Sequence, residues 1–468
     1  MRLSTLLIAA SALTLAACAS GPDYKPQAIS ESAAKPFVMA SGSTIVSDTK
    51  PDDHWWRLYD DPVLDGLVTQ ALAANTDIRV AVAHLAKARA SLREEKGARE
   101  PQVGVNGSAQ YGRLPGPSVP GEKRADLQVD VGLDVAYEVD LFGRISRRIE
   151  AARGDVGAAD ADADAVRVAV VSETISAYAE AVSSAERIAV AQRIVDLLDR
   201  SVGLTERRHQ VGLATGLDTA RIAALRDQRR AEIPLLQAER QGALFRLATL
   251  TGRAPRGLPV EAAVRVSSLR LDRPIPVGDG ALLLARRPDV RAAERRLAAA
   301  TARIGVATAD LYPRVTLGGS IGSSGAGLGN IFGANPLTWL IGPLINWTAN
   351  RTAARARVEE SRADTQAALA TFDGTVLQAL EETETALSNY KESLNRRDPL
   401  PAARDQAETA AQITRARQRE GDISSLELLD AERTAADSEA ALAEADGLIA
   451  SAQISLFKAL GGGWQGRV

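Results

Sequence analysis

The chain reads Asp126-Leu-Gln-Val-Asp-Val-Gly-Leu-Asp-Val-Ala-Tyr-Glu-Val-Asp140. Apolar side chains occupy every second position from Leu127 to Val139, and most of the positions between them are acidic or small. A period of two predicts a β-strand with one apolar and one acidic face. Because burying unpaired carboxylates is strongly unfavourable, the acidic face must meet water.

Three further segments, at about 102–113, 313–323 and 337–348, alternate in a similar way to the strand predicted at about 126–140. Strands of this length, apolar outside and polar inside, are typical of transmembrane barrels, although a soluble β-sandwich gives the same alternation. Four strands cannot close a bacterial barrel, which begins at about eight. If these strands cross a membrane, the chain supplies one share of a composite barrel and must oligomerise.

One plan occurs twice along the chain. Pro101-Gln-Val-Gly-Val matches Pro313-Arg-Val-Thr-Leu at a shift of 212 residues (313 − 101), and Gly212-Leu-Ala-Thr-Gly-Leu-Asp218 matches Gly421-Asp-Ile-Ser-Ser-Leu-Glu427 at a shift of 209 (421 − 212). The period is too long for a solenoid. The predicted segments are a signal peptide at 1–17, an extended lipid-anchored stretch at 18–60, a first repeat at 61–252, a linker at 253–280 and a second repeat at 281–468.

Long helices follow each pair of predicted strands. No proline interrupts the sequence between Pro120 and Pro234, and Arg144 to about Val202 has the period of one amphipathic helix. Its apolar face is flanked by many alanines, which let helices approach closely on several sides. A long coiled coil without the strands would show the same helical pattern.

The amino-terminal residues have the features of a secretory signal. Arg2 precedes a short apolar run from Leu6 to Leu15, which is too short to span a bilayer. Leu15-Ala-Ala-Cys18 then resembles a bacterial lipobox, so cleavage before Cys18 and attachment of lipid, including palmitate, to that cysteine are predicted. An ordinary signal peptide with an incidental cysteine is the alternative. Ala19 favours the outer membrane, because it is not the aspartate associated with inner-membrane retention.

Composition argues against several other classes of protein. The chain of 468 residues has 56 basic and 59 acidic residues, which gives no electrostatic footprint for nucleic acid. Its one cysteine makes no internal disulfide, and its three histidines are scattered without metal-ligand spacing. It contains no phosphate-binding loop and no nucleophile elbow. We therefore expect neither an enzyme nor a protein with a cofactor or a metal.

Several motifs resemble those of the TolC-type outer-membrane efflux channels, in their lipoprotein branch related to NodT and OprM. The resemblance covers nearly the whole mature chain. Besides the lipobox, the motifs that carry it are Asp53-His-Trp-Trp-Arg57, Tyr137-Glu-Val-Asp-Leu-Phe-Gly-Arg144, Arg286-Arg-Pro-Asp-Val-Arg291 and Arg419-Glu-Gly-Asp-Ile-Ser-Ser-Leu-Glu-Leu-Leu-Asp-Ala-Glu-Arg433.

The resemblance implies a mainly α-helical fold with a β-barrel portion. Three chains share a 12-stranded barrel above a periplasmic tunnel of long helices, so the expected assembly is a homotrimer in the outer membrane. The implied role is a passive exit duct for drugs or other small toxic solutes. Its partners are a periplasmic adaptor, an inner-membrane pump of the RND type and outer-membrane lipids. An exit duct for type I protein secretion and a structural coiled-coil lipoprotein are the alternatives.

The resemblance also implies two functional regions. The helical tips at Val211, Gly212, Leu213 and Gly421 dock to the adaptor, and a tunnel constriction lies just beyond each tip. The constriction residues carried over from the family are Asp218, Leu426, Glu427 and Asp430. Arg433 is assigned to the constriction with them, because it lies three residues after Asp430 on the same helical face and can pair with it. Ile423 departs from a basic or polar residue in some relatives, which puts an inter-helix lock at that position in doubt.

Overall fold

The computed structural model describes residues 20–50, 52–112, 126–326 and 337–462. Cys18 and the predicted signal peptide lie outside the described residues, as does the predicted loop between the first two strands. Within the described ranges, no helix is both long and apolar enough to cross a lipid bilayer.

The order helix–strand–strand–long helices occurs twice. The helices are α1 (Pro62–Ala74), α2 (Thr76–Gly97), α3 (Arg144–Gln210), α4 (Gly216–Leu250), α5 (Gly280–Arg286), α6 (Pro288–Ala309), α7 (Thr352–Arg397), α8 (Leu400–Glu420) and α9 (Ser425–Ala459). The strands are β1 (Val46–Ser47), β2 (Gln102–Gly112), β3 (Asp126–Val139), β4 (Ile275–Pro276), β5 (Arg314–Ala326) and β6 (Leu337–Asn346).

In each repeat the helical segment before the strands is divided into two helices. The segment from Pro62 to Arg99 divides at Asn75, whose extended backbone ends α1 and whose Oδ1 accepts hydrogen bonds from the amides of Asp77 (2.8 Å) and Ile78 (3.2 Å). Asn75 therefore caps the next helix. The segment 281–310 divides between Arg287 and Pro288, because a residue before proline disfavours helical geometry.

Four strands form one antiparallel sheet in the order β2-β3-β5-β6. The pairing of β3 with β5 joins the two repeats, with Leu133 opposite Ile321 and Asp134 opposite Ser320. This register places the alternating apolar side chains of β2, β3 and β5 on one face, together with Trp339 and Ile341 of β6, and many of the large ones are exposed, including Val105. The alternation therefore predicted the four strands correctly.

The opposite face of the sheet is polar across β2, β3 and β5. Asn106 donates from Nδ2 to Oδ2 of Asp134 (2.6 Å), and the Ser108 hydroxyl donates to Oδ2 of Asp130 (3.1 Å). In β6 this face changes character, because Leu340 and Leu344 are exposed on it. This face of the sheet is thus acidic along β3, whereas along β6 it carries two exposed leucines.

The chain divides into two compact units, each built from both repeats. The first unit comprises residues 1–27, 84–160 and 292–374, and the second comprises 28–83, 161–291 and 375–468. In the first unit α3 and α6 approach closely, because a side chain at Gly154 would lie 2.8 Å from Cβ of Ala299. In the second unit, a Cβ added to Gly447 on α9 would lie 2.2 Å from Oγ of Ser183 on α3. Small residues therefore permit the close helix packing that the sequence predicts.

Asp61 is the polar centre of the main core in the second unit. Its Oδ1 accepts hydrogen bonds from the amides of Val63 (2.9 Å) and Leu64 (3.2 Å), which caps α1. Its Oδ2 accepts from the Tyr178 hydroxyl (2.9 Å) and from Nη1 of Arg265 (2.9 Å). Burial, followed by this hydrogen bond, raises the pKa of Tyr178, so the hydroxyl stays protonated and donates.

An aromatic stack closes the same core. The indole of Trp55 is fully buried and lies on the ring of Phe457, with ring centroids 4.4 Å apart and planes 10° from parallel. Offset stacking of this kind adds to the hydrophobic contribution of both rings.

Replacing Asp61 with alanine should destabilise the second unit more than the loss of a helix cap alone. Asp61→Ala removes the cap and leaves the Tyr178 hydroxyl and the Arg265 guanidinium without their shared acceptor. The free energy of unfolding should fall by about 3 kcal/mol, against ~1 kcal/mol for the loss of a cap. The control is Asp279→Ala, since Asp279 caps α5 through Leu282 N alone (2.8 Å). Melting temperatures in detergent test this, and equal decreases would contradict it.

Candidate functional site

The two helical tips have the same backbone geometry. Gly212 ends α3 with φ +76°, the amide of Gly212 bonds to the carbonyl of His209 (2.9 Å), and the amide of Leu213 bonds to that of Arg208 (2.8 Å). This is a Schellman cap, which requires the left-handed conformation that glycine adopts most easily.

The second tip repeats this pattern 209 residues later. Gly421 has φ +83°, its amide bonds to the carbonyl of Gln418 (3.2 Å), and the amide of Asp422 bonds to that of Arg417 (3.0 Å). Since both turns end a helix in the same way, the sequence match between Gly212 and Gly421 reflects one local structure used twice.

Each tip is followed by a matching helix start. Thr215 and Asp218 form a capping box at the start of α4: Oγ1 of Thr215 accepts from the Asp218 amide (3.2 Å), and Oδ2 of Asp218 accepts from the Thr215 amide (2.9 Å). At the start of α9, Oγ of Ser424 accepts from the Glu427 amide (3.3 Å) and bonds to Oε1 of Glu427 (3.2 Å). Asp218 and Glu427 thus both occupy the third helical position.

Apolar side chains at the tips are exposed. The exposed fractions are 68% for Val211, 67% for Leu213 and 58% for Leu217 at the first tip, and 55% for Leu426, which is the counterpart of Leu217 at the second. Exposed apolar residues grouped at a turn are typical of a surface that contacts another protein.

The constriction residues predicted on α9 lie on its exposed surface. Leu426, Asp430 and Arg433 follow each other at spacings of four and three, which places them on one helical face. The suggested pairing of Arg433 with Asp430 is wrong, because Nε of Arg433 lies 3.8 Å from Oδ2 of Asp437 instead, one turn further along. Among the described residues, no basic group lies within the ion-pair distance of Asp430. Asp218, on α4, shares no ion pair with any of the α9 group in the described chain.

A buried ion pair behind the tips escaped the sequence analysis. The Glu432 side chain is 3% exposed, and its carboxylate accepts hydrogen bonds from Nε (2.7 Å) and Nη2 (2.9 Å) of Arg415. The Ser201 hydroxyl also donates to Oε1 of Glu432 (3.1 Å). The bidentate bond to Glu432 is the main cause that raises the pKa of Arg415. These bonds hold α3, α8 and α9 together.

The sequence contains a signal for this pair. Glu432 lies four residues after Leu428 and three before Ala435, and both of these are buried. Arg415 lies four residues after the buried Ala411. A charged residue within an apolar stripe on each of two neighbouring helices indicates a buried pair.

The tips are also joined to each other. Nη1 of Arg208 donates to the backbone carbonyl of Gln418, which connects the end of α3 to the end of α8. The Gln418 side chain is buried, and its amide has no hydrogen-bond partner among the described residues. The ends of the two hairpins are therefore coupled through the backbone of α8.

Breaking the buried pair should loosen the hairpin of α8 and α9. Glu432→Gln removes the buried carboxylate and leaves the partly buried Arg415 guanidinium with Glu408, whose Oε1 lies 3.2 Å from Nη1, at an expected cost of about 2 kcal/mol. Arg433→Met is the control, because its exposed pair with Asp437 should contribute less than ~1 kcal/mol. Hydrogen exchange of residues 407–436 measures both. Equal protection in the two variants would show that Glu432 does not hold the helices.

The stability of the capping box at the start of α4 should depend on pH. Hydrogen bonds from Thr215 are the main cause that lowers the pKa of Asp218. Stabilisation by the carboxylate is therefore complete above the ordinary aspartate pKa of about 3.9, and it is lost as the pH falls through the lowered value in the folded chain.

Amide exchange at residues 215–218, corrected for the intrinsic rate, should accelerate only below about pH 4 in the wild type. Asp218→Asn should exchange faster at neutral pH and lose this acid-dependent step. A step that persists in Asp218→Asn would assign it to another group.

Known proteins share the sequence and the fold of this chain. The profile of the Outer membrane efflux protein family matches residues 67–253 and 281–462, once in each repeat. The outer membrane protein OprJ of Pseudomonas aeruginosa is 31% identical over 98% of this chain and 95% of its own length. The pyoverdine export outer membrane protein OpmQ of Pseudomonas putida is 30% identical over 92% of this chain and 93% of its own.

A solved structure gives the same result in three dimensions. The outer-membrane channel OprN superposes with a TM-score of 0.90 at 37% sequence identity, covering 96% of this chain and all of its own. Both repeats, the four-stranded sheet and the long helices lie within the matched region. The chain therefore belongs to the outer membrane efflux protein family and has the fold of the TolC-type outer-membrane channels.

Proposed function

We propose that three copies of this chain form a passive exit duct in the outer membrane. The observation that carries the proposal is the separation of the sheet into an exposed apolar face and an acidic face. A strand in lipid must satisfy its backbone groups by pairing. β2 and β6 are the edges of the sheet in the described chain, so the edge of one copy would pair with the edge of the next. Three copies supply twelve strands.

In this arrangement the apolar face meets lipid and the acidic face lines the lumen. Asp130 and Asp134 would stand in the water-filled interior, where their hydrogen bonds to Ser108 and Asn106 fix the carboxylates. We infer that the duct performs no chemistry.

We propose that the helical tips are the docking surface for a periplasmic adaptor. The exposed Val211 and Leu213 surround the rigid turn at Gly212, and Gly421 forms the equivalent turn in the second repeat. The adaptor would join the duct to an inner-membrane pump of the RND type. One relative is called the toluene efflux pump outer membrane protein TtgC of Pseudomonas putida, which supports small toxic solutes as the exported class.

The constriction is proposed to lie at the exposed stripe on α9. Copies of Leu426 and Asp430 from three chains would ring a narrow pore, with Glu427 and Asp218 at the helix starts beside them. A ring of carboxylates attracts cations and resists anions. Arg433 would remain paired with Asp437, so its charge would not neutralise that of Asp430. Lipid on Cys18 would anchor each chain to the outer membrane.

Single-channel recording in planar bilayers tests this function. The wild type should conduct and should select cations under a salt gradient. Asp430→Asn should move the reversal potential towards zero, because it removes one charge per chain from a narrow ring, where charges ~4 Å apart interact by about 4 kcal/mol at an effective dielectric constant of ~20. Adding Asp218→Asn should weaken the selectivity further.

The matched control is Asp405→Asn. Asp405 is an exposed aspartate of α8 that bonds to its neighbour Arg404, about 22 Å along the helix from the tip at ~1.5 Å per residue. It should leave the reversal potential unchanged. A wild type without conductance would contradict the duct, and an unchanged potential in Asp430→Asn would remove Asp430 from the constriction.

A further inference from the structure

The second unit contains a cavity between α3, α7, the end of α9 and the start of α6. Its volume is about 510 Å³, and Arg287 lies in its wall, so we call it the Arg287 cavity. Pockets that hold small molecules have volumes of about 300–1,000 Å³. None of the tip and constriction residues lines this cavity. It is therefore a separate feature of the molecule that is large enough for a ligand.

Small apolar side chains form one side of the Arg287 cavity. Ala165 and Ala169 line it from α3, together with Val168, which is 7% exposed, and Ala386 on α7, which is 6% exposed. Because an alanine side chain ends at Cβ, the space between these helices stays open. A surface of this kind binds the apolar part of a ligand by removing it from water.

A closed group of charges around Arg287 forms another side. The Arg287 side chain is 9% exposed, and its Nε and Nη2 donate to the two carboxylate oxygens of Asp289 (3.0 and 2.6 Å). Nη2 also donates to Oε2 of Glu382 (2.7 Å), and Nη1 donates to the carbonyl of Ala459 (3.0 Å). One guanidinium and two carboxylates give this group a net charge of −1 (+1 − 2). The charge is held in place by these hydrogen bonds.

Two further charged side chains at the Arg287 cavity are available to a ligand. Glu381 on α7 and Lys458 on α9 both line the cavity, and both are exposed. In the part of the chain that the structure describes, neither the Glu381 carboxylate nor the Lys458 ammonium group has a hydrogen bond or an ion pair. The cavity thus offers one unpaired charge of each sign, on two different helices, beside an apolar surface.

We propose that the Arg287 cavity binds a small zwitterionic amphiphile, a molecule with one ammonium group, one carboxylate and an apolar body. The ammonium group pairs with Glu381, the carboxylate pairs with Lys458, and the apolar body lies on the alanines of α3. A cation without a carboxylate leaves Lys458 unpaired. An anion without an ammonium group is repelled by Glu381 and by the net charge of the Arg287 group.

Binding at the Arg287 cavity is expected to be weak and reversible. Ion pairs between exposed groups contribute little each, and salt screens them further. The cavity would therefore favour one charge class of solute without retaining it.

Three fluorescent probes that differ in their ionic groups test this proposal. Nε-dansyl-lysine carries an ammonium group and a carboxylate, dansylcadaverine lacks the carboxylate, and 6-(dansylamino)hexanoate lacks the ammonium group. Binding to the purified protein is measured from the dansyl emission, which increases when the fluorophore leaves water, after subtraction of a detergent blank. The wild type should bind dansyl-lysine about fivefold more tightly than either of the other probes, the upper limit for an exposed ion pair.

Substitution of each unpaired charge should remove one part of this preference. Lys458→Met should weaken the binding of dansyl-lysine about fivefold, so that it binds no more tightly than dansylcadaverine. Glu381→Gln should likewise remove the preference for dansyl-lysine over dansylaminohexanoate. Both side chains are exposed, so neither substitution should impair folding. A wild type without the preference, or a preference that survives both substitutions, would overturn the proposal.

Matched variants separate the Arg287 cavity from the charge of the whole protein. Lys391→Met on α7 and Glu206→Gln on α3 remove exposed charges that do not line the cavity, and they should leave the binding of all three probes unchanged. Ala169→Leu enlarges a side chain of the cavity wall without changing any charge, and it should weaken all three probes. Unchanged binding in Ala169→Leu would place the probes elsewhere on the protein and exclude this site.

The proposed duct and the proposed ligand site can fail independently, because conduction and probe binding are measured separately. If the wild type conducts but does not distinguish the three probes, only the ligand site is overturned. If it binds the probes with the expected preference but does not conduct, only the duct is overturned.

Discussion

The pairing of β3 with β5 is the constraint on which the rest of the structure depends. It is the joint between the two repeats in the sheet, and its register puts Leu133 beside Ile321 on one face and Asp134 beside Ser320 on the other. A slip of one residue would carry the carboxylates of β3 to the apolar face. The exposed apolar face and the acidic face along β3 both depend on this one alignment.

The tips show how one solution serves both repeats. In each repeat, a glycine with positive φ follows the end of one helix. The next helix begins after a capping Thr or Ser, and an acidic residue occupies its third position. Asp218 is therefore a structural cap as well as a candidate pore residue, whereas Asp430 has no capping duty. Behind the tips, the buried pair of Glu432 and Arg415 supplies the cohesion that the exposed charges cannot. A charge change at the surface should thus alter ion selectivity with little effect on folding.

Much of the fold followed from local patterns in the sequence. Alternation predicted the four strands, because period and register both act over short distances, and glycine predicted both tip turns. The break at Asn75 was not predictable, because an asparagine inside a helical pattern becomes a cap only when its own backbone is extended. The partner of Arg433 was not predictable, because Arg433 could reach an acid on either side of it along the helix. The apolar stripe around Glu432 indicates a buried pair, but it does not identify Ser201, 231 residues earlier in the sequence, as a further partner.

The stack of Trp55 on Phe457 has a consequence for how the molecule is made. About 400 residues separate these rings, and Tyr59 likewise bonds to Gln453 across a sequence separation of 394. A polypeptide is synthesised and exported amino end first, so Trp55 arrives long before the ring that covers it. Contacts this distant in sequence form slowly. The core can close only after both repeats have crossed the inner membrane, and a chain interrupted before Phe457 keeps an exposed indole. The carboxyl-terminal end of α9 is therefore needed to complete the core that begins at Trp55.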